Sequence, residues 1–219
     1  MLGYNLGLNL FDAPDMGDGL FIGREDEFQS MESILQPQST SPGSTRKVLI
    51  LGGMGGIGKT QLAITYAKRH RHSYSSIFWL NANNEATLKN SLRTLANRIL
   101  LPEMVSGLED DRLSIHVSNW LSEQDNTRWL LIFDNYDDPD QYRVSKYYPF
   151  VAQGSVIVTT RLPDRVKGQQ IRLRSMAKEE DSLQVLATRS GRKIAESGNN
   201  TSWRLESMLM AGQTLGHSD

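Results

Sequence analysis

Gly53-Met54-Gly55-Gly56-Ile57-Gly58-Lys59-Thr60 follows the pattern G-x-x-x-x-G-K-[ST]. This is the spacing of a phosphate-binding loop. Its glycines let the backbone turn back so that successive N–H groups point inward as an anion nest. A helix starting near Gly58 adds unpaired N–H groups and the positive end of its dipole. In such a loop Lys59 reaches the β- and γ-phosphate oxygens, and the Thr60 hydroxyl sits on Mg²⁺. The chemistry expected is therefore the holding of a nucleoside di- or triphosphate with its metal ion.

A second group of residues completes that chemistry. Trp129-Leu130-Leu131-Ile132-Phe133-Asp134 is an apolar run ending in an acid. A carboxylate at the end of a strand beside a phosphate loop holds Mg²⁺, so Thr60 and Asp134 are the expected metal pair. Asn135 stands where an acid would best polarise water, and an amide is no base at neutral pH. Asp137 and Asp138 follow and are the alternative bases. Binding is thus better supported than hydrolysis. Ser155-Val156-Ile157-Val158-Thr159-Thr160-Arg161 is another apolar run with a polar end. Thr159 and Thr160 are read as orienting water, and Arg161 as approaching the γ-phosphate. Asp134 and Arg161 are the expected catalytic pair.

These residues need a frame to bring them together. Val48 to Leu51, before the loop, reads as a strand buried on both faces. Leu62, Ala63, Tyr66 and Ala67, after it, make one helical stripe. Strands are predicted over 47–51, 76–81, 129–133, 155–159 and 170–173. Helices lie between them, one with Leu88, Leu92, Leu95, Ala96 and Ile99 on a face, another with Leu113, Val117, Trp120 and Leu121. Strands alternating with helices predict a parallel sheet covered on both sides. An earlier helix is predicted through Phe28, Met31, Ile34 and Leu35, and QPQSTSPGST (36–45) reads as a linker. Segment 1–20 reads as irregular. After Ser175 the periodicity weakens.

Composition narrows the function classes. With 219 residues, 38% of them hydrophobic and 22% charged, the chain reads as soluble and globular. A net charge of −1 argues against a nucleic-acid partner held by bulk charge. The absence of cysteine excludes disulfides, thiol nucleophiles and thiolate metal sites, and agrees with a cytoplasmic setting. No apolar run approaches the roughly 20 residues that span a membrane. The four histidines lack metal-ligand spacing. The basic end Lys68-Arg69-His70-Arg71-His72 suits a helix C-terminus.

Taken together, the motifs resemble the NB-ARC family, the nucleotide-binding module of NOD-like signalling ATPases of the STAND class, and its fungal branch above all. Phe21-Ile22-Gly23-Arg24-Glu25 is similar to the family's hhGRE signature, and GGMGGIGKT to its phosphate loop. Ile77 to Ala82 is similar to its second-strand motif, Leu130 to Asn135 to its Walker B strand, and Val158-Thr159-Thr160-Arg161 to its sensor strand. The resemblance implies a P-loop NTPase three-layer α/β sandwich. Its five-stranded parallel sheet would have the order 5-1-4-3-2. It implies ADP or ATP with Mg²⁺ as cofactors. The implied contacts are Phe21, Ile22 and Arg24 around adenine and ribose, and Gly53, Met54, Gly55, Gly56, Ile57, Gly58, Lys59, Thr60 and Gln61 around the phosphates. A nucleotide-binding domain over 21–175 and a partial helical segment over 176–219 are expected.

Family members act as innate-immune signalling switches in which ADP holds a closed monomer and ATP permits oligomerisation. Adenine nucleotide is the expected partner, together with self-association or binding to full-length NLR relatives. No Gly-Leu-Pro-Leu-Ala motif follows in this sequence, so the chain is expected to be C-terminally truncated. Three activities remain open: a binding module with weak or no hydrolysis, a conventional P-loop ATPase, and a non-binding interaction fragment or decoy.

Overall fold

The computed structural model describes residues 13–14, 23–35, 46–123, 126, 128–151 and 153–174. Phe21, Ile22, most of segment 1–20 and the segment expected to be helical over 176–219 lie outside the described residues. Among the described residues the chain runs α1 (Glu25–Leu35), β1 (Lys47–Gly52), α2 (Lys59–Arg69), β2 (Ser76–Asn81), α3 (Glu85–Ile99), α4 (Pro102–Val105), α5 (Asp110–Leu121), β3 (Trp129–Asp134), β4 (Ser155–Thr160) and β5 (Gln169–Arg172).

The strands form one sheet in the order β2-β3-β4-β1-β5. Every neighbouring pair is parallel. This is the expected order read from the other edge. β4 lies between β1 and β3, with Gly52 opposite Thr160 and Phe133 opposite Val158. The carboxyl ends of these three strands therefore meet along one edge. In open parallel sheets that edge is where ligands sit.

Alternation along the strands divides the core. Leu49, Leu51, Leu130, Ile132 and Ile157 face α1 and α2, together with Phe28, Met31, Leu62 and Tyr66. Ile50, Leu131, Phe133, Val156 and Val158 face the other way, with Leu88, Leu92, Leu113 and Val117 of α3 and α5. A strand buried on both faces has no polar side to display, which is why these runs are continuously apolar.

Helix ends follow local chemistry. α3 begins with a capping box. The Asn84 side chain accepts from the Thr87 N–H at 2.9 Å, and the Thr87 hydroxyl accepts from the Asn84 N–H at 3.2 Å. Asn84→Ala removes one half of this exchange. It is expected to cost about 1 kcal/mol, seen as a fall of roughly 3 °C in Tm with native spectra otherwise retained. The short α4, which the periodicity does not predict, starts at Pro102 and packs through Val105. A four-residue helix carries too few turns to show a stripe.

Candidate functional site

β1 ends at Gly52, and the loop that follows reverses the chain into α2. Gly53, Gly56 and Gly58 have φ of 149°, 75° and 98°. A Cβ on Gly53 would stand 2.9 Å from the Leu173 carbonyl oxygen, so side chain and backbone geometry both exclude other residues there. At Gly55, Gly56 and Gly58 no neighbouring atom lies within 4 Å of where a Cβ would stand. The helical ladder of α2 begins with Leu62 N–H donating to Gly58 O. The N–H groups of Lys59, Thr60 and Gln61 precede it and leave the helix at its N-terminal end. Every described α-helix except α2 has an acidic residue in its first turn. The first turn of α2 thus carries no acid of its own to cover the positive end of the helix dipole, the end that favours anions.

Lys59 folds over this loop, its Nζ donating to Gly53 O at 2.8 Å and Met54 O at 2.9 Å. Burial lowers its pKa. Asp137 and Asp134 oppose that shift, and Arg161 adds to it. The ammonium, both aspartates and the arginine are therefore within electrostatic reach of one another.

The sheet brings Asp134 to Thr60, 74 residues away. The Thr60 hydroxyl donates to Asp134 Oδ1 at 2.8 Å, and the Thr159 hydroxyl donates to the same oxygen at 2.6 Å. Asp134 is buried, and burial raises its pKa against the pull of Thr159, Thr60 and Lys59. A buried carboxylate faced by two neutral hydroxyls lacks a full counter-charge, and a divalent cation is what such a group fits. Among the described residues no cluster of three His, Asp or Glu side chains could hold a metal. Thr60 and Asp134 could hold one between them.

The sensor strand differs from expectation in two residues. Thr159 and Thr160, read as water-orienting, are fully enclosed. Thr159 braces Asp134 and accepts the Asn135 N–H at 2.8 Å, and the Thr160 hydroxyl accepts from Leu162 N–H at 3.0 Å. Arg161 is exposed at this same edge. Its backbone N–H donates to Asp137 Oδ1 at 2.6 Å and its Nε to Asp137 Oδ2. That carboxylate is tied to a cation and to backbone. Asn135 has φ 65°, a left-handed position that asparagine tolerates, and its amide donates to Asn83 Oδ1.

The Arg24 side chain makes contacts of its own within the chain. Its buried guanidinium pairs with Glu27 at 3.0 Å and donates through Nη2 to Ile57 O and Arg174 O, both at 2.9 Å. It ties the start of α1 to the phosphate loop and to the segment after β5. Sequence spacing gives no sign that Arg24 reaches Ile57 and Arg174 or that Thr159 reaches Asp134, because these partners lie far along the chain. Met54, by contrast, is strongly exposed at the loop tip.

The NB-ARC domain model matches residues 28–196. The chain belongs to the NB-ARC family. This NB-ARC chain is 29% identical to a nucleotide-binding leucine-rich repeat (NLR)-like protein of Hyaloscypha variabilis, over 81% of this chain and 20% of that protein. It thus spans about a fifth of that curated relative. Solved structures share the fold. The STAND protein with a tetratricopeptide repeat sensor from Pyrococcus horikoshii superposes with a TM-score of 0.52 at 14% identity, covering 92% of this chain and 34% of that one. The ORC1 protein of Aeropyrum pernix, solved in complex with DNA, gives 0.61 at 16% identity, covering 91% and 58%. The ORC2 protein of the same organism, solved as ADPNP–ADP complexes, gives 0.56 at 17% identity, covering 80% and 54%. The NB-ARC module accordingly has the α/β fold of P-loop NTPases, the fold that the resemblance implies. Among the described residues no helix is long and apolar enough to cross a membrane.

Proposed function

We propose that residues 21–175 form an adenine-nucleotide-binding domain of an NLR-type signalling switch, which holds ADP or ATP with Mg²⁺ and hydrolyses ATP slowly or not at all. The observation that carries this reading is the convergence of Lys59, Thr60 and Asp134 on the open glycine loop. Membership of the NB-ARC family and the fold shared with a protein solved as ADPNP–ADP complexes support the choice of nucleotide. Lys59, with the loop N–H groups, binds the phosphates. Thr60 and Asp134 would hold Mg²⁺, which when bound neutralises phosphate charge. Thr159 keeps the Asp134 carboxylate aimed. Arg161, exposed at the same edge, would respond to a γ-phosphate.

Weak hydrolysis follows from what surrounds Asp134. Asn135 is no base, and the Asp137 carboxylate is held by Arg161. Steady-state ATP turnover is expected to be no faster than about 10⁻³ s⁻¹, the scale of an unassisted P-loop site. Sustained turnover orders of magnitude faster would favour a conventional ATPase.

Asp134→Asn separates metal from fold. Asn keeps the Oδ1 acceptor for both threonine hydroxyls and removes a charge that burial disfavours. The variant is expected to melt no lower than wild type while losing the Mg²⁺-dependent part of its ATP affinity. Parallel melting curves and titrations with and without Mg²⁺ check this.

A further inference from the structure

The turn that follows β3 is fastened to the end of β4. Asn135 N–H donates to the Thr159 hydroxyl at 2.8 Å, and Tyr136 N–H donates to Thr159 O at 2.9 Å. Tyr136 is buried, and its hydroxyl donates to Tyr142 O at 2.6 Å. These bonds set the place of the next residue, Asp137, beside Arg161. Both carboxylate oxygens of Asp137 are engaged there. Oδ1 accepts from the Arg161 backbone N–H at 2.6 Å, and Oδ2 accepts from Arg161 Nε. The Asp137 side chain is 13% exposed, that of Arg161 60%.

This pair stands at the phosphate loop. After burial, Asp137 has the largest effect on the Lys59 ammonium, ahead of Arg161 and Asp134. Lys59 and Arg161 thus stand against Asp134 and Asp137, two positive charges against two negative. The Nη groups of Arg161 make no hydrogen bond among the described residues, so a phosphate can reach the guanidinium. It meets there a cation whose charge the Asp137 carboxylate already balances. A third phosphate brings more negative charge than a diphosphate does. Like charges brought together cost free energy, and the cost grows where water is partly excluded. A carboxylate anchored beside the arginine therefore bears on the third phosphate and not on the first two.

We propose that Asp137 is a specificity-determining residue, a resident anion that holds Arg161 and thereby favours nucleoside diphosphate over triphosphate. The inference rests on the nucleotide reading above. ADP binds with the Asp137–Arg161 pair closed. ATP gains Arg161 only by drawing the guanidinium off the carboxylate, a cost that ADP does not meet. The closed and open pairs are then two states, and the γ-phosphate shifts the balance between them.

Titrations of the full chain with ADP and with the β,γ-imido analogue of ATP, both with Mg²⁺, test it, with melting curves as the folding control. Asp137→Asn keeps an oxygen for the Arg161 N–H and removes the charge. It is expected to raise analogue affinity relative to ADP about fivefold, the scale of a half-exposed ion pair. Asp137→Ser, a second way to remove the charge, should shift the ratio in the same direction. Adding Arg161→Gln to Asp137→Asn makes the pair neutral again and should bring the ratio back to within about twofold of wild type. Asp140→Asn removes an exposed acid of the same connection, paired with Arg165 at 3.3 Å, and should leave the ratio within about twofold. A lower analogue affinity in folded Asp137→Asn would overturn the proposal and make Asp137 a positioning residue for Arg161. An unchanged ratio would overturn it too, as would an equal gain from Asp140→Asn or a gain that survives Arg161→Gln. In each of these cases ADP binding by wild type leaves the nucleotide reading standing. Wild type that binds no ADP brings down that reading and this inference together.

Discussion

Replacing Trp129 with alanine is expected to lower Tm by about 10 °C, the largest stability effect of any single change considered. Trp129 opens β3 and is fully enclosed. Its Nε1–H donates to Leu121 O at 3.0 Å, which ties the sheet to the end of α5. Its ring lies against Gly154, where φ is 78° and a Cβ would stand 2.3 Å from the indole. Truncation leaves a cavity bounded by backbone, which collapses poorly. Losses of about 3–5 kcal/mol are typical for such sites, and a domain of this size melts roughly 2–4 °C lower per kcal/mol. Gly154→Ala should reproduce the loss from the other side, by forcing the indole out of place in a backbone conformation unsuited to alanine. Differential scanning calorimetry on both variants checks this pair. Melting within 2 °C of wild type would mean that Trp129 is not the packing anchor described here.

Lys59→Ala should leave the fold intact and lower ADP affinity by roughly 100-fold. Its Nζ bonds only to carbonyls of an exposed loop, so the folded state loses little when it is removed. With phosphate in the loop, the same ammonium becomes half of a charge-assisted pair in a partly desolvated setting. Truncating one partner of such a pair costs about 3 kcal/mol, which corresponds to the stated change in Kd. Fluorescent-nucleotide competition on wild type and variant, with melting curves as the folding control, separates the two effects. Unchanged affinity in a folded variant would place the nucleotide elsewhere.

The parts of this molecule legible in its sequence were those set by local rules. Leu130 to Phe133 and Val156 to Val158 read as strands because both faces are buried, and the glycine loop read as a phosphate cradle because its chemistry is confined to eight consecutive residues. The strand order rested on the family resemblance, and the sheet has that order. Contacts between distant segments were not legible. Nothing in the run Val158-Thr159-Thr160-Arg161 says that Thr159 turns inward to brace Asp134 or that Arg161 turns to Asp137, because that depends on β4 lying beside β3. The same holds for Arg24, whose acceptors belong to the loop and to the chain after β5.

If the glycine loop, with Lys59, Thr60 and Asp134 around it, is an adenine-nucleotide pocket, these 219 residues should bind ADP. Calorimetric titration of the purified chain with ADP in the presence of Mg²⁺ tests it most directly. Saturable binding at one site per chain is expected, displaced by ATP with Mg²⁺ and raising Tm as the ligand concentration rises. A folded, cooperatively melting protein that gives no binding heat and no ADP-dependent rise in Tm would contradict it.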